Sequence, residues 1–140
     1  STFITGFPGE SQQQFNELID FIKEAKLDHV GAFNYSPVDG AKANKIKGHI
    51  SPSEQQARHD IFMKTQLEIS RAKFAERVGQ TMDIIIDGYE DDLLVGRSKK
   101  DAPEIDGLVY VENNNNTNVG DIISVEISDS DNYDCYGTIK

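Results

Sequence analysis

Apolar and polar positions change their period once along these 140 residues, near Val78. Ahead of that point the spacing is mostly helical. Ser1 to Phe7 is a short β-branched run ending in a Gly-Phe-Pro-Gly turn. Ser11 then predicts an N-cap, with Gln14 three residues on to close a capping box. Phe15, Leu18, Ile19, Ile22 and Ala25 follow at helical spacing and make one apolar face. Leu27 to Tyr35 returns to strand, with Val30, Ala32, Phe33 and Tyr35 as its apolar members. Strand, helix, strand is a βαβ unit, which belongs to a parallel sheet with further strands beside it. Two strands and one helix cannot bury themselves, so this half is expected to be a piece of a larger fold. The opening Ser1-Thr2-Phe3, already strand-like and without an initiator Met, points the same way.

Residues 36–50 form an irregular loop. Ser51-Pro52-Ser53-Glu54 is a helix start, with Ser as cap, Pro at the first helical position and Glu at the third. The predicted helix runs to Arg77 with Ala57, Ile61, Thr65, Ile69 and Ala72 on its inner face, and Gly79 stops it. From Val78 the period is two. Met82–Asp87, Leu93–Ser98, Leu108–Val111, Asp121–Ile127 and Tyr136–Ile139 are five strand candidates, separated by Gly88, by Pro103 and Gly107, by Asn113–Asn116 and by Asp129–Asp134. Short strands at this spacing predict a small antiparallel barrel of the OB type, with the asparagine run as a hairpin loop. The fold class expected is α+β, with one domain over 1–77 and a second over 78–140.

Charge sharpens that division. Residues 1–77 hold ten Lys/Arg and ten Asp/Glu, whereas residues 78–140 hold four basic residues (Arg97, Lys99, Lys100, Lys140) against fourteen acidic ones. The net charge of −10 therefore belongs entirely to the second half. Such a barrel repels phosphates and attracts a basic protein. Arg58, Lys64, Arg71, Lys73 and Arg77 do not share a face and are interleaved with Asp60, Glu68 and Glu76, so they read as a solvated helix surface. A cytoplasmic origin is the default expectation for a chain with one cysteine and no membrane-spanning or signal pattern.

Candidate chemistry is sparse. Gly6-Phe7-Pro8-Gly9-Glu10 lies between a strand and a helix, where backbone N–H groups meet an anion or a cofactor edge, though a plain tight turn has the same residues. Tyr35 and Ser36 sit at the C-terminal end of the second strand, the end that carries ligands in parallel α/β sheets. His29, His49 and His59 lack ligand spacing, and Cys135 has no partner for a metal site or a disulfide. Asp101-Ala102-Pro103-Glu104-Ile105-Asp106-Gly107 leads straight into an apolar strand; Asp101, Glu104 and Asp106 are either turn carboxylates or docking groups.

Thr2-Phe3-Ile4-Thr5-Gly6-Phe7-Pro8-Gly9-Glu10 and Val30-Gly31-Ala32-Phe33-Asn34-Tyr35-Ser36-Pro37 resemble the last part of the radical-SAM barrel in the methylthiotransferase family. Val78-Gly79, Gly96-Arg97-Ser98, Asp101–Val111 and Asp131–Gly137 resemble its C-terminal TRAM domain. The run Asp-Ala-Pro-Glu-Ile-Asp-Gly is similar to the branch that methylthiolates an aspartate of small-subunit ribosomal protein twelve. The resemblance implies S-adenosylmethionine and two 4Fe-4S clusters in the complete enzyme. It places Gly6, Pro8, Tyr35 and Ser36 at the periphery of the adenosylmethionine pocket. It also implies that the cluster cysteines lie outside this chain, which by itself should be inactive, bind no iron and contain no catalytic residue. Gly9 stands in the acidic slot of the family's pattern and Glu10 follows it, which separates Glu10 from the cofactor. Three functions remain open: a fragment whose acidic domain docks the basic ribosomal protein through Asp101, Glu104 and Asp106; an RNA-binding module of a tRNA-modifying relative; or a stand-alone acidic interaction protein.

Overall fold

The computed structural model describes residues 1–102, 107–113 and 116–140. The chain divides into two compact units, Ser1–Ile69 and Ser70–Lys140. The division falls inside the long helix, ahead of the expected boundary after residue 77.

In the first unit, β1 (Thr2–Thr5) and β2 (Gly31–Asn34) pair in parallel, with Thr2 opposite Gly31 and Thr5 opposite Asn34. The crossover is α1 (Gln12–Ala25). Its start is the capping box read from the sequence: the Ser11 hydroxyl accepts from Gln14 N at 3.2 Å, and the Gln14 side chain accepts from Ser11 N at 2.9 Å. Phe15, Ile19 and Ile22 are buried against Val30 and Phe62, with Phe3, Leu27 and Ala32 packed around them. One 3₁₀ turn, Lys42–Lys45, interrupts the loop that leads to α2 (Pro52–Ala75).

The inner face of α2 differs from expectation. Ala57 and Ile61 are exposed, and the buried positions in the first unit are Arg58, Phe62 and Gln66. In the second unit the helix buries Ser70 and Phe74, and Arg77 is buried in the turn just past its end. Polar side chains occupy this stripe because each has a partner. Gln66 Nε2, for instance, donates to Leu27 O at 2.8 Å. Arg58, in the helix, and Arg77, in the turn just past its end, both expected on a solvated surface, are buried.

The second unit is a closed five-stranded barrel: β3 (Thr81–Glu90), β4 (Leu93–Ser98), β5 (Val109–Glu112), β6 (Ile122–Ser130) and β7 (Cys135–Ile139), ordered β3-β4-β5-β7-β6. Phe74, Ile84, Ile86, Leu94, Val109, Val111, Val125, Ile127 and Cys135 fill its interior. The barrel is mixed rather than antiparallel, because β5 and β7 run parallel with Tyr110 opposite Tyr136. β5 and β6 are separated by β7, so the asparagine-rich connection is not a hairpin loop; of it, Asn114 and Asn115 lie outside the described residues. Gly88 does not end a strand either. It follows a register shift inside β3, a bulge that bends the strand around the barrel, and the turn comes later at Asp91-Asp92. Gly107 is required by packing: a Cβ there would run into the Tyr133 carbonyl oxygen and the Phe74 ring.

Candidate functional site

At the C-terminal end of the parallel pair, the chain folds Gly6, Pro8 and Tyr35 together. Tyr35 N donates to Thr5 O at 2.9 Å, and the Phe7 and Tyr35 rings meet edge-on at 5.3 Å. Gly6 has φ +72°, and a Cβ there would lie 2.5 Å from Gln55 Cγ, so the turn needs glycine on both counts. Pro8 is buried and Ser36 is exposed at the strand end. The Tyr35 hydroxyl donates to Asn44 Oδ1 at 2.7 Å, which ties this end to the loop.

Glu10 serves the same turn. Its Oε1 accepts from Gly6 N at 3.3 Å and from Arg58 Nη1 at 2.5 Å, and its carbonyl accepts from the same Nη1 at 2.9 Å. Arg58 Nη2 donates to Glu54 Oε1 at 2.6 Å. Burial works against the charge on Arg58, but hydrogen bonds to Glu10 and Glu54 outweigh it and hold the guanidinium above its ordinary pKa. Glu10 is thus committed to fastening the β1–α1 turn onto α2. The sequence hints at Glu54 as a helix-start residue but gives no sign of Arg58, 48 positions from Glu10.

In the barrel, Asp101 is a buried carboxylate rather than a surface group. It receives Arg77 Nη1 on both oxygens and Nη2 on Oδ1, all at 3.1 Å, and the Ser98 hydroxyl at 2.6 Å on Oδ2. The Arg77 guanidinium lies 4.1 Å above the Phe74 ring. The side chains are 3% and 0% exposed, which leaves Asp101 no contact to offer a partner; it anchors the start of the segment it was expected to arm. Glu104 and Asp106 lie outside the described residues.

The remaining titratable groups among the described residues do not gather into a metal site. Among the described residues no group of three or more His, Cys, Asp or Glu can hold an ion. His49 Nε2 lies 3.3 Å from Asn44 O, and His59 Nε2 lies 3.0 Å from Ala32 O. Cys135 begins β7 fully buried, and that burial pushes its thiol up to about 11. A single buried thiol held protonated does not fit an iron–sulfur cluster, which needs several thiolates.

Sequence reading missed the outer face of β5 and β7. Tyr110 and Tyr136 stack there with centroids 5.6 Å apart and planes 18° from parallel. The Tyr136 hydroxyl donates to Asp131 Oδ2 at 3.2 Å. Asp131 Oδ1 also caps the β6–β7 turn, accepting from Tyr133 N and Asp134 N at 2.9 Å. Those two amides hold the Asp131 carboxyl below its ordinary pKa, so it stays ionised. The two tyrosines are 26 positions apart, and only the parallel pairing of β5 with β7 brings them together.

Residues 78–139 match the family model described as TRAM domain. The chain carries a TRAM domain. Beyond it, similarity runs the whole length. The chain is 50% identical over 139 residues to the ribosomal protein uS12 methylthiotransferase RimO of Legionella pneumophila strain Philadelphia 1, covering 99% of this chain and 32% of that protein. The proteins of the same name from Cellvibrio japonicus and Vibrio cholerae serotype O1 are 49% and 48% identical. Each match covers 99% of this chain and 31% and 30% of theirs. The chain thus spans about a third of the length of these curated relatives. The apo form of Mycoplasma genitalium RNase R superposes with a TM-score of 0.39 at 11% identity, over 70% of this chain and 19% of that one. That likeness is too low to carry an argument. No helix among the described residues is long and apolar enough to cross a membrane.

Proposed function

We propose that this chain is the C-terminal, substrate-recognising part of a radical-SAM methylthiotransferase that modifies an aspartate of the small-subunit ribosomal protein uS12 in the cytoplasm. The observation that carries the reading is identity near 50% along the entire chain, both units included, to proteins named for that activity. A TRAM barrel alone would be compatible with many partners; the matched first unit narrows the choice to this family. In the complete enzyme S-adenosylmethionine and the iron–sulfur clusters supply the radical and the sulfur. The donor set here does not fit a cluster, so the clusters belong to other segments. Gly6, Pro8, Tyr35 and Ser36 then shape the rim of the cofactor barrel without touching the reacting atoms.

The acidic barrel recruits the substrate. Fourteen carboxylates against four cations after residue 77 favour a basic protein over RNA. The test is a pull-down of uS12 by the 140-residue chain with tRNA as competitor. Capture of uS12 that weakens with salt and survives tRNA is expected. Tight, salt-sensitive tRNA binding with no uS12 retained would instead assign the barrel to RNA. Iron retained by this chain after cluster reconstitution would overturn the assignment of the clusters to other segments.

A further inference from the structure

The outward positions of four neighbouring strands line up across the barrel. Val95 faces Tyr110, Tyr110 faces Tyr136, and Tyr136 faces Asp129. This row places a stacked tyrosine pair beside a carboxylate, with Tyr136 37% exposed. Glu112 and Glu126 lie one or more outward positions along β5 and β6, and Asp131 closes the turn above Tyr136. The nearby cations are engaged. Lys140 Nζ lies 3.4 Å from Glu126 Oε2, and Arg97 Nε lies 2.9 Å from Asp87 Oδ2.

Both phenols are held above their ordinary pKa, Tyr136 chiefly by the Asp131 charge and Tyr110 chiefly by burial. The rings therefore stay neutral, and the charge of the face is that of its carboxylates. Stacked aromatics suit either a nucleobase or a guanidinium. A nucleobase brings phosphates, which these carboxylates repel; a guanidinium brings a positive plane that stacks on a ring and forks to a carboxylate. Asp131 has both oxygens in use, on two backbone amides and the Tyr136 hydroxyl. Asp129 accepts from Ser130 N on Oδ1 alone, at 2.8 Å.

We propose that this face seats an arginine side chain of a basic protein segment, its guanidinium over Tyr136 and forked to Asp129. The inference rests on the reading that the barrel docks a basic protein, and it adds the surface and the side chain recognised.

The test is calorimetric titration of the 140-residue chain, and of its Tyr136→Leu and Asp129→Asn variants, with an Arg-Gly repeat peptide, the matching Lys-Gly peptide and uS12. The wild-type chain should prefer the arginine peptide. Each variant should lose about threefold to tenfold in its affinity, while Tyr136→Phe, which keeps the ring, should retain it. Asp129→Asn is the safeguard should Tyr136→Leu unfold, which amide spectra reveal. If uS12 binds wild type and both variants equally, this surface is wrong while docking of a basic protein stands. If the wild-type chain binds neither peptide nor uS12, both proposals fall. Preference of the tyrosine face for a single-stranded oligonucleotide also overturns it.

Discussion

Asp101 and Arg77 show how a side chain's value changes with its surroundings. On a surface an Asp–Arg pair contributes little; fully buried, each charge depends on the other to offset the loss of water. Asp101→Asn leaves the Arg77 guanidinium buried without a counter-charge, so the barrel should lose about 3–5 kcal/mol. The check is urea unfolding of wild type against the variant, and a midpoint within error of wild type would mean the pair is solvated. Cys135 makes a prediction in pH. Its thiol is raised from 9.0 to about 11, so the folded protein keeps a proton that the unfolded chain releases above pH 9. Stability should therefore be flat below pH 9 on this account and fall between 9 and 11, by about 2–3 kcal/mol in all. Tyr110 and Tyr136 are raised as well and slope the same way, so the informative quantity is the difference from Cys135→Ala. That variant should have a shallower alkaline decline whatever its stability at neutral pH.

At the scale of elements, what could be read ahead followed from local rules. The Ser11–Gln14 capping box, the Ser51-Pro52 helix start and the five strand positions each depend on residues within a few places of one another. What could not be read depended on distant partners. The inner stripe of α2 escaped because Arg58, Gln66 and Ser70 are polar, and a pattern of apolar positions skips them. The mixed barrel escaped because strand order is not written in strand period: β5 and β7 look alike whether they pair parallel or not. The tyrosine face, a consequence of that order, was invisible for the same reason. Asp101 reads either as a turn carboxylate or as a docking group; it does accept from the Ser98 amide at 3.3 Å, but nothing near it in sequence announces Arg77. The α2 stripe leads to a prediction of its own. Arg58 joins the Glu10 carboxylate and carbonyl to Glu54, so Arg58→Ala should free the β1–α1 turn and leave Glu10, itself mostly buried, without its counter-charge. A loss of about 3–5 kcal/mol in the first unit is expected. Amide exchange should report it in β1, β2 and α1, and unaltered protection there would show that the turn holds without the clamp.

The two units differ in how they deal with their edges, and this bears on whether each can stand alone. The barrel closes on itself, so all of its strands are paired on both sides and a core of apolar side chains fills its interior. The first unit has one parallel pair and therefore two open edges. One face of that pair packs on α1 and α2 through Phe3 and Ala32; on the other, the register partners Ile4 and Phe33 are 54% and 67% exposed. Open edges beside exposed apolar residues favour association between copies. Residues 70–140 expressed alone should fold, giving dispersed amide spectra and a cooperative melt. Residues 1–69 alone should self-associate, with light scattering that rises with concentration. Changing the exposed pair to Ile4→Lys and Phe33→Lys should suppress that association without unfolding α1, because neither residue is among those packed in the core. A monomeric wild-type 1–69 fragment would mean that the uncovered face is tolerated in water, and would remove the physical reason for expecting further strands beside β1 and β2.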